Sequence, residues 1–399
     1  MRVSTILLVF FSVTLYSQTI INYTINEGLH FDNYVECIDV DPNANEVVWI
    51  GTPNAVQIFN GIEWDTLNSY TNIKVIKHMI NGDVWIGNDY GLYYFNGQSW
   101  TTFNINSGLI SNQIKSIDEA PNGWVWVGTN LGVSYYDGIN FSSYSSPDLH
   151  WSGVNSTAFD SNGDIWFSSP LGGVTKFDGV NFIQYDTSQG LLSQNITDLE
   201  IDIYDNKWIG SSSGITVLSS DNLQYTHHTR MFIMPPPDTL NPVVDIEIDS
   251  KGRIWAAIYV GYLSIGAIAY WDGLEWESLD ISDGLVGENI KDIDIDNEDN
   301  IWISTTTGVS KILDFTTNFD FNENTKQVIY PNPNNGNFHV NLEKDVIDLQ
   351  VFDILGNLVL RRSVNNSKKL ILEYLDKSIY ILEITLNNNE KIIQRLIVN

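Results

Sequence analysis

Seven tryptophans recur through the middle of the chain, at Trp49, Trp85, Trp126, Trp166, Trp208, Trp255 and Trp302. The steps between them are 36, 41, 40, 42, 47 and 47 residues. Each sits in a short apolar run closed by small residues, as in Val48-Trp49-Ile50-Gly51-Thr52 and Val125-Trp126-Val127-Gly128-Thr129. A period of about forty with strand chemistry in every unit specifies an all-β chain, a β-propeller with one four-stranded blade per repeat.

One unit can be written out from its cleanest copy. Residues 113–118 alternate as an inner strand, Pro121-Asn122-Gly123 turns the chain, and residues 124–128 form the second strand. Residues 133–136 form the third strand, Asp137-Gly138 makes a two-residue turn, and residues 141–144 run out as the fourth. Asp-Gly and Asn-Gly supply the positive φ angles that tight hairpins require. The turn recurs at Asn60-Gly61, Asn96-Gly97, Asp178-Gly179 and Asp272-Gly273, with an aromatic three residues after each glycine: Trp64, Trp100, Phe182 and Trp276. Such regular aromatics resemble sugar platforms, but repetition at one register is expected of side chains that pack blade against blade.

The ends of the repeat region fit a closed ring. The stretch from Ile21 to Leu29 matches the fourth strand and exit loop from Trp100 to Leu109, whereas the last repeat lacks a fourth strand of its own. The N-terminal strand therefore completes blade seven and removes the open sheet edge. Past Thr325 the period stops, and alternating strands over about seventy residues suggest a small immunoglobulin-like β-sandwich. The expected division is a signal peptide at 1–17, a seven-bladed propeller at 18–322, a linker at 323–329 and a C-terminal domain at 330–399.

Composition narrows the function classes. Arg2, the apolar stretch 6–13 and Tyr16-Ser17 read as a secretory signal, too short to span a bilayer. Cys37 is the only cysteine, so no intramolecular disulfide forms; its apolar neighbours place it on an inner strand as a buried thiol. Residues 18–326 hold 11 Lys/Arg against 41 Asp/Glu, while residues 327–399 hold 8 of each. So acidic a body repels nucleic acid, and polyanionic polysaccharide with it unless a divalent cation bridges the two.

The Val/Ile-Trp-Ile/Val-Gly-Thr strand, the Phe/Tyr-Asp/Asn-Gly turn and the Gly-Leu-Ile-Ser-Asn-Gln-Ile exit loop (Gly108 to Ile114) resemble the two-component regulator propeller family. In that family such propellers often form carbohydrate-responsive sensors of histidine kinases. No kinase segment or transmembrane helix follows here, so the resemblance implies ligand binding rather than the signalling role. The tail resembles the type A C-terminal sorting domain of the type IX secretion system of Bacteroidota. The matching residues are Tyr330, Pro331, Asn332 and Pro333, then Gly336 and Phe338, the core Asp353 and Gly356, and Tyr380. This resemblance implies the type IX secretion machinery as a partner, export across the outer membrane, and release or anchoring at the cell surface.

Function is expected where the repeats are interrupted. The interruptions are 145–154 with His150 and Trp151, 219–243 with Tyr225, His227, His228 and Arg230, and 256–269 with Tyr259 and Tyr262. The first two are read as blade-to-blade connections and the third as a second-to-third strand connection, which puts all three on one face around the channel mouth. These eight residues are the candidate ligand contacts. No metal site is expected at His227-His228, because neighbours on a strand point to opposite faces. The Asp-rich stretch 292–300 has the look of a calcium loop without its glycine or terminal glutamate, and is read as a polar turn; no cofactor is expected, with calcium left as an option there. The sequence thus points to a secreted or cell-surface, non-catalytic binder of a carbohydrate or protein. A propeller-type polysaccharide lyase or hydrolase, and a structural adhesin, are the alternatives.

Overall fold

The computed structural model describes residues 19–30, 33–44, 46–67, 70–151, 153–233, 241–313, 329–330, 338–353, 358–372, 375, 378–386 and 391–398. The chain divides into two compact units, residues 1–315 and 316–399.

The repeats of the first unit form seven four-stranded antiparallel sheets. These are blade 1 (37–67), blade 2 (73–103), blade 3 (114–144), blade 4 (157–185), blade 5 (196–228), blade 6 (243–279) and blade 7 (290–312). The fourth strand of blade 7 is Ile20–Tyr23, which pairs with Gly308–Ile312 from Ile20↔Ile312 to Tyr23↔Val309. The N-terminal strand therefore closes the ring as the sequence match predicts. That match extends to the exit loops. Thr24 and Asn104 each cap a single 3-10 turn, which ends at Gly28 and Gly108 with φ of 107° and 106°.

Blades 1–6 run inner, second, third, outer strand in sequence order, and blade 7 does so for its first three strands. Successive antiparallel strands put the first–second and third–fourth turns on one face of the ring. The second–third turns and the blade-to-blade loops lie on the other, here termed the loop face. Between blades the space is filled by the periodic aromatics. Tyr23 lies stacked on Trp302 of blade 7 with ring centroids 5.8 Å apart, and also meets Phe59 and Trp64 of blade 1. In blades 4–7 the indole N–H donates at 3.0 Å to an aspartate six residues earlier: Trp166 to Asp160, Trp208 to Asp202, Trp255 to Asp249, Trp302 to Asp296. In blades 2 and 3 that position holds Met79 and Ala120. Cys37 begins the inner strand of blade 1 and is buried, and burial pushes its thiol well up.

The second unit is an antiparallel sheet of five strands, Ile329–Tyr330, Phe338–Asp353, Leu358–Leu372, Ser378–Leu386 and Lys391–Val398. The long Phe338–Asp353 strand breaks register between Asn341 and Val346. Its first half pairs with Ile329–Tyr330 and its second half with Ser378–Leu386, the two-segment strand of a small immunoglobulin-like fold. Leu349, Val351, Leu382 and Ile384 alternate into its core, joined by Tyr380. Among the sorting-motif residues, Tyr330, Phe338 and Asp353 lie at strand ends; Pro331, Asn332, Pro333, Gly336 and Gly356 fall outside the described residues.

Candidate functional site

The seven inner strands line a central channel, and their registers fix what faces it. Opposite the repeat tryptophans stand Asp39, Lys77, Asp118, Ala158, Glu200, Glu247 and Asp294, one from each blade. Towards the loop face lies a second tier of acids on consecutive blades, Asp198, Asp245 and Asp292. An inner strand has an unpaired edge, and these carboxylates satisfy it. Asp292 and Asp294 of blade 7 accept from Ile38 N and Val40 N of blade 1 at 2.8 and 2.6 Å. Asp39 accepts from His78 N of blade 2 at 2.9 Å and holds the His78 ring. Asp198 and Asp245 accept in the same way from Ile246 N and Ile293 N of the next blade, at 3.0 and 2.9 Å.

So many acids in one channel cannot all be charged. Burial, reinforced by neighbouring carboxylates, pushes Glu200 up to about 8 and Asp118 and Asp294 to about 7. Asp292 rises to about 6, chiefly by burial, and Asp245 and Glu247 rise well above the usual carboxylate range. Lys77 is the one cation in the tier, and the acids around it outweigh its own desolvation and hold it firmly protonated. A cavity of about 430 Å³ opens the channel on the turn face, lined by Asp39, Lys77, Asp118, Glu200 and Asp294 among others.

The loop-face mouth is different. In blades 2, 3, 5, 6 and 7 the inner strand carries one extra residue before the acidic tier, a β-bulge at Lys74, Lys115, Thr197, Val244 and Lys291. A bulge re-aims a side chain that regular alternation would send elsewhere. Lys74, Asp89, Gln113, Ile114, Lys115, Asn130, Asn155 and Thr197 line a cavity of about 540 Å³. Glu36 is gripped by Lys74 at 2.8 Å, by Lys291 at 3.9 Å and by the Tyr34 hydroxyl at 2.7 Å, which keeps it ionised. Lys115 Nζ donates to Asn155 Oδ1 at 3.2 Å, and the Asn155 amide donates to Ile196 O at 2.7 Å. Among the described residues no group of three or more His, Cys, Asp or Glu is arranged to hold a metal ion. Within the Asp-rich stretch Asp296 forms a polar turn, accepting from Glu298 N, Asn300 N and Trp302 Nε1.

The eight residues expected from the sequence are spread over several blades. His150 and exposed Trp151 sit in the blade 3–4 loop, and Trp151 packs at Gly172 beside exposed Leu171. Arg230 lies in the blade 5–6 loop, where the Asn241 side chain holds Met231 N and Phe232 N at 2.6 and 2.8 Å. Tyr259 belongs to the second strand of blade 6, and Tyr262 stands exposed in the following hairpin. Three assignments are corrected. Residues 219–243 are not a single connection, because Tyr225–His228 forms the outer strand of blade 5, paired with Gly214–Leu218. Tyr225 covers Gly190, His227 Nε2 donates to Gly190 O at 2.8 Å, and His228 Nδ1 accepts from Trp276 Nε1 at 3.0 Å. These three side chains brace blade 5 far from the axis, and burial pushes the His228 ring below its usual range. None of the eight lines either channel cavity, although Asn130 and Asn155 join the loop-face cavity to the Trp151 loop. The mouth lysines are what the sequence reading missed; their signal was the recurring Ile-Lys at 73–74, 114–115 and 290–291.

The fold and the tail together define a secreted propeller protein. Residues 108–131 match the two component regulator propeller family, and residues 328–399 match the secretion system C-terminal sorting domain. The sorting domain belongs to the type IX system, so the protein engages that machinery and is directed to the cell surface. No curated protein sequence matches the chain. Among solved structures it is similar to the extracellular domain of a putative hybrid two-component system from B. thetaiotaomicron, with 17% identity, TM-score 0.64, and 96% of this chain and 58% of that one covered. It is also similar to PorZ, a surface component of the type IX secretion system of Porphyromonas gingivalis, with 16% identity, TM-score 0.54, and coverages of 93% and 60%. Virginiamycin B lyase from Staphylococcus aureus, solved with quinupristin, matches at 13% identity and TM-score 0.59, over 74% of this chain and 99% of that one. The chain spans less than two thirds of the first two, and likeness at these identities establishes the fold. Among the described residues no helix is long and apolar enough to cross a membrane.

Proposed function

We propose that the protein is a non-catalytic binding protein of the cell surface whose propeller takes a carbohydrate at the loop-face mouth of its channel. The observation that carries this reading is the convergence there of Lys74, Gln113, Lys115, Asn130, Asn155 and Thr197, drawn from consecutive blades onto one cavity of about 540 Å³. Small-ligand sites are concave and use a few fixed polar groups beside apolar surface. Trp151, 47% exposed, and Leu131 and Leu171, 50% and 55% exposed, offer apolar surface in loops on the same face. The lyase alternative, which would take one of the strand histidines His227 or His228 as its general base, loses support because both are engaged in the outer strand of blade 5.

The test is a thermal-shift panel of neutral and acidic oligosaccharides on the full-length protein, with each mixture analysed by chromatography. A glycan should stabilise the protein without being converted, and Asn155→Ala should abolish the shift. Appearance of product overturns the non-catalytic reading. A flat panel together with retention on an intact partner protein would move the ligand to the protein class.

A further inference from the structure

The cations of this acidic body are not scattered. Of its eleven Lys/Arg, Lys176, Lys207, Lys251, Arg253 and Lys311 pair with turn aspartates of blades 4–7. Lys207 and Lys311 also lie 4.8 Å over the Trp166 and Trp302 rings. Four more, Lys74, Lys77, Lys115 and Lys291, belong to the inner strands, and three of those four are bulge residues at the loop-face mouth. Around that mouth the ring reads Lys291, Glu36, Lys74, Lys115, Asn155, Thr197, Val244 from blade 7 through blade 6. Glu36 is shared by Lys74 and Lys291. Lys115 meets only the Asn155 side-chain oxygen, and no carboxylate lies within ion-pair distance of it among the described residues.

We propose that this mouth is a subsite for a sugar acid, its carboxylate received by Lys115 and Lys74 and its hydroxyls by Gln113, Asn130, Asn155 and Thr197. The inference rests on the carbohydrate-binding reading and names the ligand's charge. Three observations carry it. The bulges place Lys74 and Lys115 on the cavity wall, and of these two only Lys74 has a carboxylate partner among the described residues, Glu36. Thr197 lines the same cavity, and its Oγ1 is buried without a hydrogen-bond partner. Apart from Asp89 and the two lysines, the polar residues of the cavity are neutral amides and a hydroxyl, suited to a polar ligand bearing a single charge. Burial already draws Lys115 below the ordinary lysine range, as expected of an ammonium that has lost water without gaining an anion. Four acids oppose this. Asp89 lines the cavity and supports the charge on both lysines, and the Asp198, Asp245, Asp292 tier lies one residue deeper. That tier is partly neutralised, since the hydrogen bond between Asp245 and Asp292 requires a proton.

The experiment titrates the full-length protein by calorimetry with uronic-acid disaccharides, their neutral counterparts and inorganic sulfate. The uronates should bind, the neutral sugars about tenfold or more weakly, and sulfate weakest. Lys115→Met should reduce uronate affinity about tenfold and remove most of its salt dependence, with Lys115→Arg recovering part of it. Equal binding of neutral and acidic sugars, or uronate binding unmoved by Lys115→Met, overturns the subsite while leaving the binding-protein reading intact. Sulfate binding as tight as uronate overturns the sugar-acid class. Failure of every sugar, neutral and acidic, overturns both readings.

Discussion

The inner strands carry two kinds of polar side chain one residue apart, and the fold treats them differently. Asp39, Asp198, Asp245, Asp292 and Asp294 stand in regular register and accept backbone N–H groups of the next blade. Lys74, Lys115 and Lys291 stand in bulges, outside the ladder, and aim at solvent near the channel mouth. The acids fasten blade to blade where the edge of the sheet would otherwise be open. The lysines fasten little beyond Glu36. Net charge of −29 therefore has a partly architectural origin, whereas the channel-mouth cations are set apart from that fastening network.

The largest effect expected from this contrast is on stability as a function of pH. Asp118, Asp294 and Glu200, raised to about 7, 7 and 8, bind protons more tightly in the folded chain than in the unfolded one. Their contribution is complete below the unfolded carboxylate range and is lost as pH rises through the folded values. Glu36 and Asp299, shifted down, act oppositely and lose their contribution in acid. Each tenfold change in a group's proton affinity on folding is worth about 1.4 kcal/mol. Stability should therefore peak near pH 5 and fall by several kcal/mol towards pH 8. All thirteen tryptophans lie between residues 49 and 302, so intrinsic fluorescence follows the propeller alone in denaturant titrations. A curve that rises from pH 5 to 8 would show that the channel acids are ionised and paired throughout.

Removing one fastening acid should cost somewhat less. Asp39 is 4% exposed and His78 6%, and together they join blade 1 to blade 2. Asp39→Ala leaves a buried backbone N–H and a buried imidazole without their acceptor, a loss of about 3 kcal/mol. Urea unfolding at pH 7 measures it directly. A change under about 1 kcal/mol would mean that water in the channel replaces the carboxylate, and that blade contact is carried by the aromatic layers instead.

The architecture was legible because it repeats. Trp, Gly and the Asp-Gly turns recur at one register, and even the exit loop after Ile20–Tyr23 is a copy of the one after Trp100–Phe103. The outer strand of blade 5 was missed because its hairpin turns at Asp221-Asn222, where Asn222 takes φ of 61° in place of the usual glycine. Asn tolerates that conformation, and Tyr225 follows it three residues later in the expected aromatic position. A reading that required glycine therefore merged this strand with the true loop beyond Thr229 and promoted two packing histidines to candidate contacts. The mouth was missed for another reason. Alternation alone sends Lys115 away from the loop-face cavity, and only the pairing of Ile114 with Thr129 and of Ser116 with Gly128 reveals the extra residue between them. A bulge is a property of the pair of strands, so one strand's sequence does not announce it.

The smallest effect expected is the stability change on Lys115→Met, and its smallness is what separates the two kinds of side chain. Met keeps the aliphatic stem and removes the ammonium, which holds one hydrogen bond, to Asn155 at 3.2 Å. Burial opposes the charge of Lys115, so its removal relieves desolvation while giving up that bond. The net change should stay within about 0.5 kcal/mol of zero, the range of a surface substitution. Lys77 stands instead among the channel acids Asp39, Asp118, Glu247 and Asp294. Lys77→Met should therefore lose about 2 kcal/mol or more at pH 7, and less at pH 5, where burial keeps Asp118, Glu247 and Asp294 protonated. Equal losses for the two lysines in paired urea titrations would place Lys115 in the fastening network and erase the distinction between ladder and bulge.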